Sequence, residues 1–240
     1  MVNQNVTEVQ KRIAEAAYKS NRKPEDITLI GVTKTVGVLQ IRDLIQAGVT
    51  HLGENRVQDF LPKYAELTTD NPTWHFIGHL QRNKAKQVVD KVSLIHSIDT
   101  LDLAREIDKR AKQTGRTMDI LIEINIANEP TKHGILAENA KEFSKHIFEL
   151  SNMRFCGLMC VAPFVENSEK NRSFFAKMRD LLYEINFVEG VDNKKGMPYT
   201  HAPFTARNEL SMGMSNDFLV AIEEGATMVR IGTALVGDRI

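Results

Sequence analysis

Residues 27–34, ITLIGVTK, form an apolar run that ends in a lysine. Lys34 is therefore either a solvated rim residue or an amine enclosed in a protein mouth. Enclosure disfavours the ammonium form and yields the free amine that attacks an aldehyde. A second group of residues lies near the other end of the chain. In MVRIGT, Gly232 lets the backbone approach a ligand closely and Thr233 adds a hydroxyl, a pairing suited to phosphate. Ser215 falls at the expected start of a helix, where one hydroxyl can cap the helix and also hold a phosphate oxygen. Arg230 ends a buried run, so its charge needs an acceptor, either a ligand or a structural carboxylate. Asn55, followed three residues later by Gln58, reads as a helix cap or as an amide turned towards a ligand. His75 and His79 have an H-x₃-H spacing, but Gly78 interrupts the segment. They read as structural, and no metal is expected.

A lysine amine opposite a phosphate cradle suits a phosphorylated aldehyde. Pyridoxal 5′-phosphate (PLP) fits, and so does a sugar phosphate in a Schiff-base aldolase.

Bringing positions 34, 55, 215 and 230–233 together requires a fold that gathers distant strand ends. Val6, Val9, Ile13 and Ala17 make one face of an N-terminal helix. Strands are expected at 27–34, 50–53, 74–79, 93–99, 118–127, 153–162, 208–214 and 226–235. Helical patterns fall between them, including 56–67 with Pro62 inside, 83–89 and 216–224. Thr100 or Asp99 caps a helix whose face is Leu103, Ala104, Ile107 and Ala111. The strand runs lack alternation, as in a parallel sheet covered on both faces. Eight βα units after one extra helix predict a (β/α)₈ TIM barrel of the α/β class, with its site at the C-terminal ends of the strands. An open doubly wound sheet would show a Gly-rich nucleotide turn after its first strand, and GVTKTVG has none.

Composition narrows the function class. Among 240 residues, 31 basic side chains balance 31 acidic ones, so the basic excess of a nucleic-acid binder is missing. A 42% hydrophobic content with balanced charge excludes wholesale disorder. No apolar stretch would span a bilayer, and the polar N-terminus is no signal peptide, so a cytoplasmic globular protein is expected. Cys156 and Cys160 would share one strand face about 13 Å apart at about 3.3 Å per residue, too far for a disulfide.

The segments GVTKT, HLGENRVQ, WHFIGHLQRNK, HSIDT, INIANEPTKHG, GLMCVAP, LSMGMSNDF and MVRIGTALVG follow one another across nearly the whole chain. In this order they resemble the pyridoxal phosphate homeostasis protein family. The resemblance implies a fold-type III PLP barrel, similar to the N-terminal domain of bacterial alanine racemase, filling residues 1–240 as one domain. It implies PLP carried as an internal aldimine on Lys34. It places Ser215, Gly232 and Thr233 at the phosphate, and Arg230 at the ring nitrogen or the phosphate. Asn55 falls beside the ring and Met212 in a loop lining the pocket. Thr33 stands where many relatives have Ser, Arg56 where others have Tyr, and His79 where others have Pro. Residues 188–208, read as a long loop, match no family motif.

The similar racemases add a β-domain with a second catalytic base. Here the eighth strand is expected to end shortly before Ile240, and no base besides Lys34 suggests itself. The expectation is a monomeric protein that stores PLP, passes it to apo PLP-dependent enzymes and has no turnover of its own. The alternatives are a slow PLP-dependent amino-acid racemase using Lys34, and an aldolase without PLP.

Overall fold

The computed structural model describes residues 2–188 and 208–237. Its sheet begins with β1 (Thr28–Val32), β2 (His51–Glu54), β3 (Thr73–Phe76) and β4 (Leu94–Ile98). It continues with β5 (Met118–Asn125), the two-residue β6 (Ile135–Leu136), β7 (Met153–Cys160), β8 (Glu209–Met214) and β9 (Met228–Ile231). All pairings are parallel. β4 pairs with β5, β7 with β8, and β9 returns to β1 through Leu29↔Val229, which closes an eight-stranded barrel with β6 added to β5. The expected (β/α)₈ barrel is therefore present.

The helices are α1 (Val2–Lys19), α2 (Val38–Gln46), α3 (Val57–Glu66), α4 (Leu101–Gln113), α5 (Ala140–Phe148), α6 (Arg172–Val188), α7 (Phe218–Glu223) and α8 (Thr233–Val236). Their apolar faces meet the outer face of the strands. On β5, Ile120, Ile122 and Ile124 belong to this outer core, whereas Leu121 joins Ile30, Leu94, Cys156, Met159 and Met228 inside the barrel. Burial on both faces explains why the strands read as unbroken apolar runs. The extra helix α1 buries Val6, Val9, Ile13 and Ala17, as its spacing predicts, and packs on α2, α7 and α8.

Several boundaries differ from the sequence reading. The last strand stops at Ile231, because Gly232 leaves the extended conformation and Thr233–Val236 is a short helix. β1 stops at Val32, so Lys34 lies in the turn beyond the strand. Residues Arg82–Gln87 form a 3₁₀ helix rather than an α-helix. The register of β7 against β5 shifts at Gly157, whose φ is 146°. That shift splits the cysteines between faces, with Cys156 inside the barrel and Cys160 in the outer core. Neither forms a disulfide. The loop expected over residues 188–208 lies almost wholly outside the described residues.

Candidate functional site at the barrel mouth

The Lys34 turn is fixed from below. Thr33 is fully buried, and its amide donates to Gly53 O at 3.0 Å on the adjacent strand. Its hydroxyl donates to Glu54 Oε1 at 2.9 Å. Lys63, from α3, places Nζ 2.5 Å from the same carboxylate oxygen and 2.7 Å from Thr33 O. Glu54 is wholly buried and also accepts the Asn55 amide at 3.1 Å. One buried ion pair thus anchors both the Lys34 turn and the start of the Asn55 segment. Thr35 completes the turn with φ at 63°, an uncommon conformation for a β-branched residue, which leaves half-buried Lys34 at the mouth.

The phosphate candidates meet at the ends of β8 and β9. Ser215 does not cap the helix that follows it; α7 begins after Asp217, which accepts the Met214 amide. Instead Ser215 Oγ reaches across to the next strand and accepts the amides of Gly232 at 3.3 Å and Ala234 at 3.4 Å. These are amides of the first turn of α8, which a ligand oxygen would otherwise meet. Thr233 is exposed there. β1 and β9 pair through Gly31↔Ile231, so the Lys34 turn and Gly232–Thr233 leave neighbouring strand ends.

Arg230 lies deeper, 4% exposed. It donates to Ser211 Oγ at 2.6 Å and to Cys160 O at 2.8 Å, and forms no ion pair among the described residues. The structural carboxylate considered from the sequence is not its hydrogen-bond partner. Burial holds the guanidinium below the usual arginine range, against the opposing pull of the Cys160, Glu123 and Asp217 side chains. Met212 is fully buried in the outer core, while its neighbour Ser211 points into the barrel. A contact between Met212 and a cofactor rests on the resemblance alone.

Asn55 is not a helix cap. α3 follows Arg56, and no side chain caps it. The Asn55 Oδ1 atom is buried without a hydrogen-bond partner among the described residues, and Asn55 lines a cleft of about 370 Å³ with His79, Gln81 and Lys84. A buried amide oxygen left unpaired is suited to a ligand donor.

Residues that the sequence reading passed over as structural form a polar column through the barrel. His51 Nδ1 lies 2.9 Å from His75 Nε2, and His75 Nδ1 lies 2.9 Å from His96 Nε2. His96 Nδ1 lies 2.9 Å from Ser211 Oγ, which carries the column to Arg230. Arginine only donates. Running the protons from Arg230 towards His51 gives the Ser211 hydroxyl both an acceptor and a donor; the reverse leaves its proton unpaired. Burial pushes all three histidines down, His75 to about 3, and each added charge nearby pushes further. The column is therefore neutral. Its outer end, His51, opens on a cavity of about 420 Å³ at the opposite face, lined by Gln10, Glu25 and Thr28.

Glu123 on β5 was also missed. Burial first, then Asp99, pushes its carboxyl up to about 7, while Arg230 pulls it down. The signal in the sequence was a polar residue inside an apolar strand, in MDILIEINIA, WHFI and SLIHSI. The partners could not be read, because they lie 21 and 115 positions apart.

With this geometry in place, the chain can be compared with known proteins. Residues 5–240 match the family model for the alanine racemase N-terminal domain. The chain is 44% identical over 236 residues to a pyridoxal phosphate homeostasis protein of Aquifex aeolicus, covering 98% of this chain and 97% of that protein. A protein of unknown role from Bifidobacterium adolescentis has a solved structure with a TM-score of 0.84 and 31% identity, over 98% of this chain and 94% of that one. PipY of Synechococcus elongatus, solved with PLP bound, matches with a TM-score of 0.77 and 34% identity, over 94% of this chain and all of PipY.

Proposed function

Because the chain belongs to the alanine racemase N-terminal domain family, and within it to the pyridoxal phosphate homeostasis proteins, we propose that it binds PLP at this mouth and serves intracellular PLP homeostasis. The observation that carries the reading is the Ser215 hydroxyl held against the Gly232 and Ala234 amides, one strand away from the Lys34 turn. The residues present suit such a ligand. A phosphate would take the Ser215 and Thr233 hydroxyls and the Thr233 amide, with Gly232 letting the backbone come close. Arg230 keeps donor capacity beyond its two hydrogen bonds for a ring nitrogen or a phosphate oxygen. Asn55 offers an unpaired amide oxygen beside the ring. Lys34 would present its amine towards the cofactor aldehyde. When bound, PLP supplies an aldehyde carbon open to exchange between amines.

The role follows from what the site holds. Lys34 and the phosphate cradle retain the cofactor and keep free aldehyde low, and an incoming amine from an apo-enzyme can replace Lys34. On this reading the protein is a monomeric cytoplasmic carrier without turnover. A second reading is favoured by Glu123, whose carboxyl titrates near neutrality inside the barrel and is therefore matched to general acid–base work in a slow PLP enzyme.

The purified protein should absorb in the near-visible, and borohydride should fix the cofactor to Lys34. A colourless protein with unmodified Lys34 would sink the PLP reading. Incubation with amino acids separates the two roles. Multiple turnovers lost in Lys34→Ala would establish the enzyme; transfer of PLP to an apo-enzyme faster than passive release supports the carrier.

A further inference from the structure

On the far side of the mouth from the phosphate cradle, the ends of β3 and β4 and the loop after β5 bring His79, Asp99 and His133 together. We propose that His79, Asp99 and His133 form a binding site for a borderline divalent cation of the Zn²⁺ type, independent of the cofactor site.

Asp99 is the buried member of the cluster. Its side chain is only 8% exposed. Oδ1 is buried with no hydrogen-bond partner among the described residues. Oδ2 faces His79 Nδ1 at 3.4 Å and His133 Nδ1 at 3.9 Å, both longer than an N–H···O hydrogen bond. A carboxylate taken out of water this far, with no hydrogen bond, needs compensation. Glu123 on the neighbouring strand lies within electrostatic reach of Asp99.

The spacing answers the question of what supplies the compensation. A tetrahedral Zn²⁺ with bonds of about 2.0–2.1 Å holds its ligand atoms about 3.4 Å apart. The His79–Asp99 separation already has that value, and all three ligand atoms lie within 4.8 Å of one another. The two imidazoles are stacked, with centroids 3.9 Å apart and planes 11° from parallel. Their side chains are 39% and 57% exposed, so solvent borders much of each ring. Two imidazoles and one carboxylate are a ligand set for first-row cations with open positions. His79 also lines the cleft that holds Asn55, Gln81 and Lys84. Water or an anionic ligand can complete the shell.

The test is equilibrium dialysis of the full-length protein, as purified, against ZnCl₂, with Co²⁺ as a spectroscopic probe. One tight equivalent is expected, with visible Co²⁺ bands of a low-coordinate site. His79→Ala and Asp99→Asn should each weaken Zn²⁺ binding at least tenfold and abolish the bands. The exposed His133→Gln substitution, the least disruptive to folding, should do the same while circular dichroism stays unchanged. Bound Zn²⁺ that survives all three substitutions at unchanged affinity overturns the proposal, as does the absence of a stoichiometric site in the parent protein. Removal of the cofactor should leave the Zn²⁺ stoichiometry unchanged; its loss with PLP would overturn the independence of the site.

Discussion

Lys63 Nζ lies 2.5 Å from Glu54 Oε1 in a buried ion pair, and the same ammonium donates to the carbonyl of Thr33, one residue before Lys34. The pair ties the last turn of α3 to the end of β2 and to the loop that presents the candidate amine. Removing one partner of a buried pair strands the other charge at a cost of about 3–5 kcal/mol. Lys63→Met is expected to lower stability by that amount and to speed PLP loss. Adding Glu54→Gln should recover much of the stability but not the retention, because the contact to Thr33 O stays lost. Urea denaturation midpoints and cofactor release rates read the two effects.

Gly78 is the place where the Asn55 segment is held by lack of space. A Cβ on Gly78 would fall on the backbone carbonyl and Cα of Asn55, which cannot swing away as a side-chain tip could. Gly78→Ala should therefore cost about 1–3 kcal/mol and shift the absorbance of bound PLP. Gly37→Ala is the control: a Cβ there meets nothing within 4 Å, and its φ of −76° suits any residue. Its stability should stay within about 0.5 kcal/mol of the parent.

The histidine column makes the fold acid-sensitive. His75 falls to about 3 in the folded chain from its ordinary 6.5, chiefly through burial. The unfolded chain therefore binds the extra proton below pH 6.5, and stability falls as pH drops towards 3. At pH 5 the loss from His75 alone is roughly 2 kcal/mol. His75→Gln cannot titrate, so its plot of stability against pH should be flatter over this window even though the substitution weakens the column.

Glu123 contributes the opposite slope. Its folded carboxyl is raised to about 7 from 4.5, so the folded chain holds the proton longer. That stability is present below pH 4.5 and is lost as pH rises through 7, a change of roughly 3 kcal/mol. Glu123→Gln should make the ligand-free protein more stable than the parent at pH 8, with a smaller difference at pH 4.5. Equal effects at both pH values would show that the carboxyl does not titrate in this window.

The sequence by itself determined the barrel and the positions that crowd its mouth. Apolar runs without alternation, spaced by amphipathic helical patterns, leave a parallel closed sheet as the way to bury every strand on both faces. Lys34, Asn55 and Ser215 could be placed because each sits where a strand pattern ends, and Gly232 and Thr233 because Gly-Thr after an apolar run suits a phosphate. Arg230 could be recognised as needing a partner because it interrupts a buried run. What each polar group actually faces was decided only by tertiary structure. Ser215 looked like the cap of its own helix and instead receives amides from the next strand. Arg230 looked in need of a ligand or a carboxylate and found Ser211 and a carbonyl. The column from His51 to Ser211, and the cluster of His79, Asp99 and His133, join residues separated by up to 115 positions. Local pattern carries no record of such pairs, since strand register and barrel closure alone set which inward side chains share a layer.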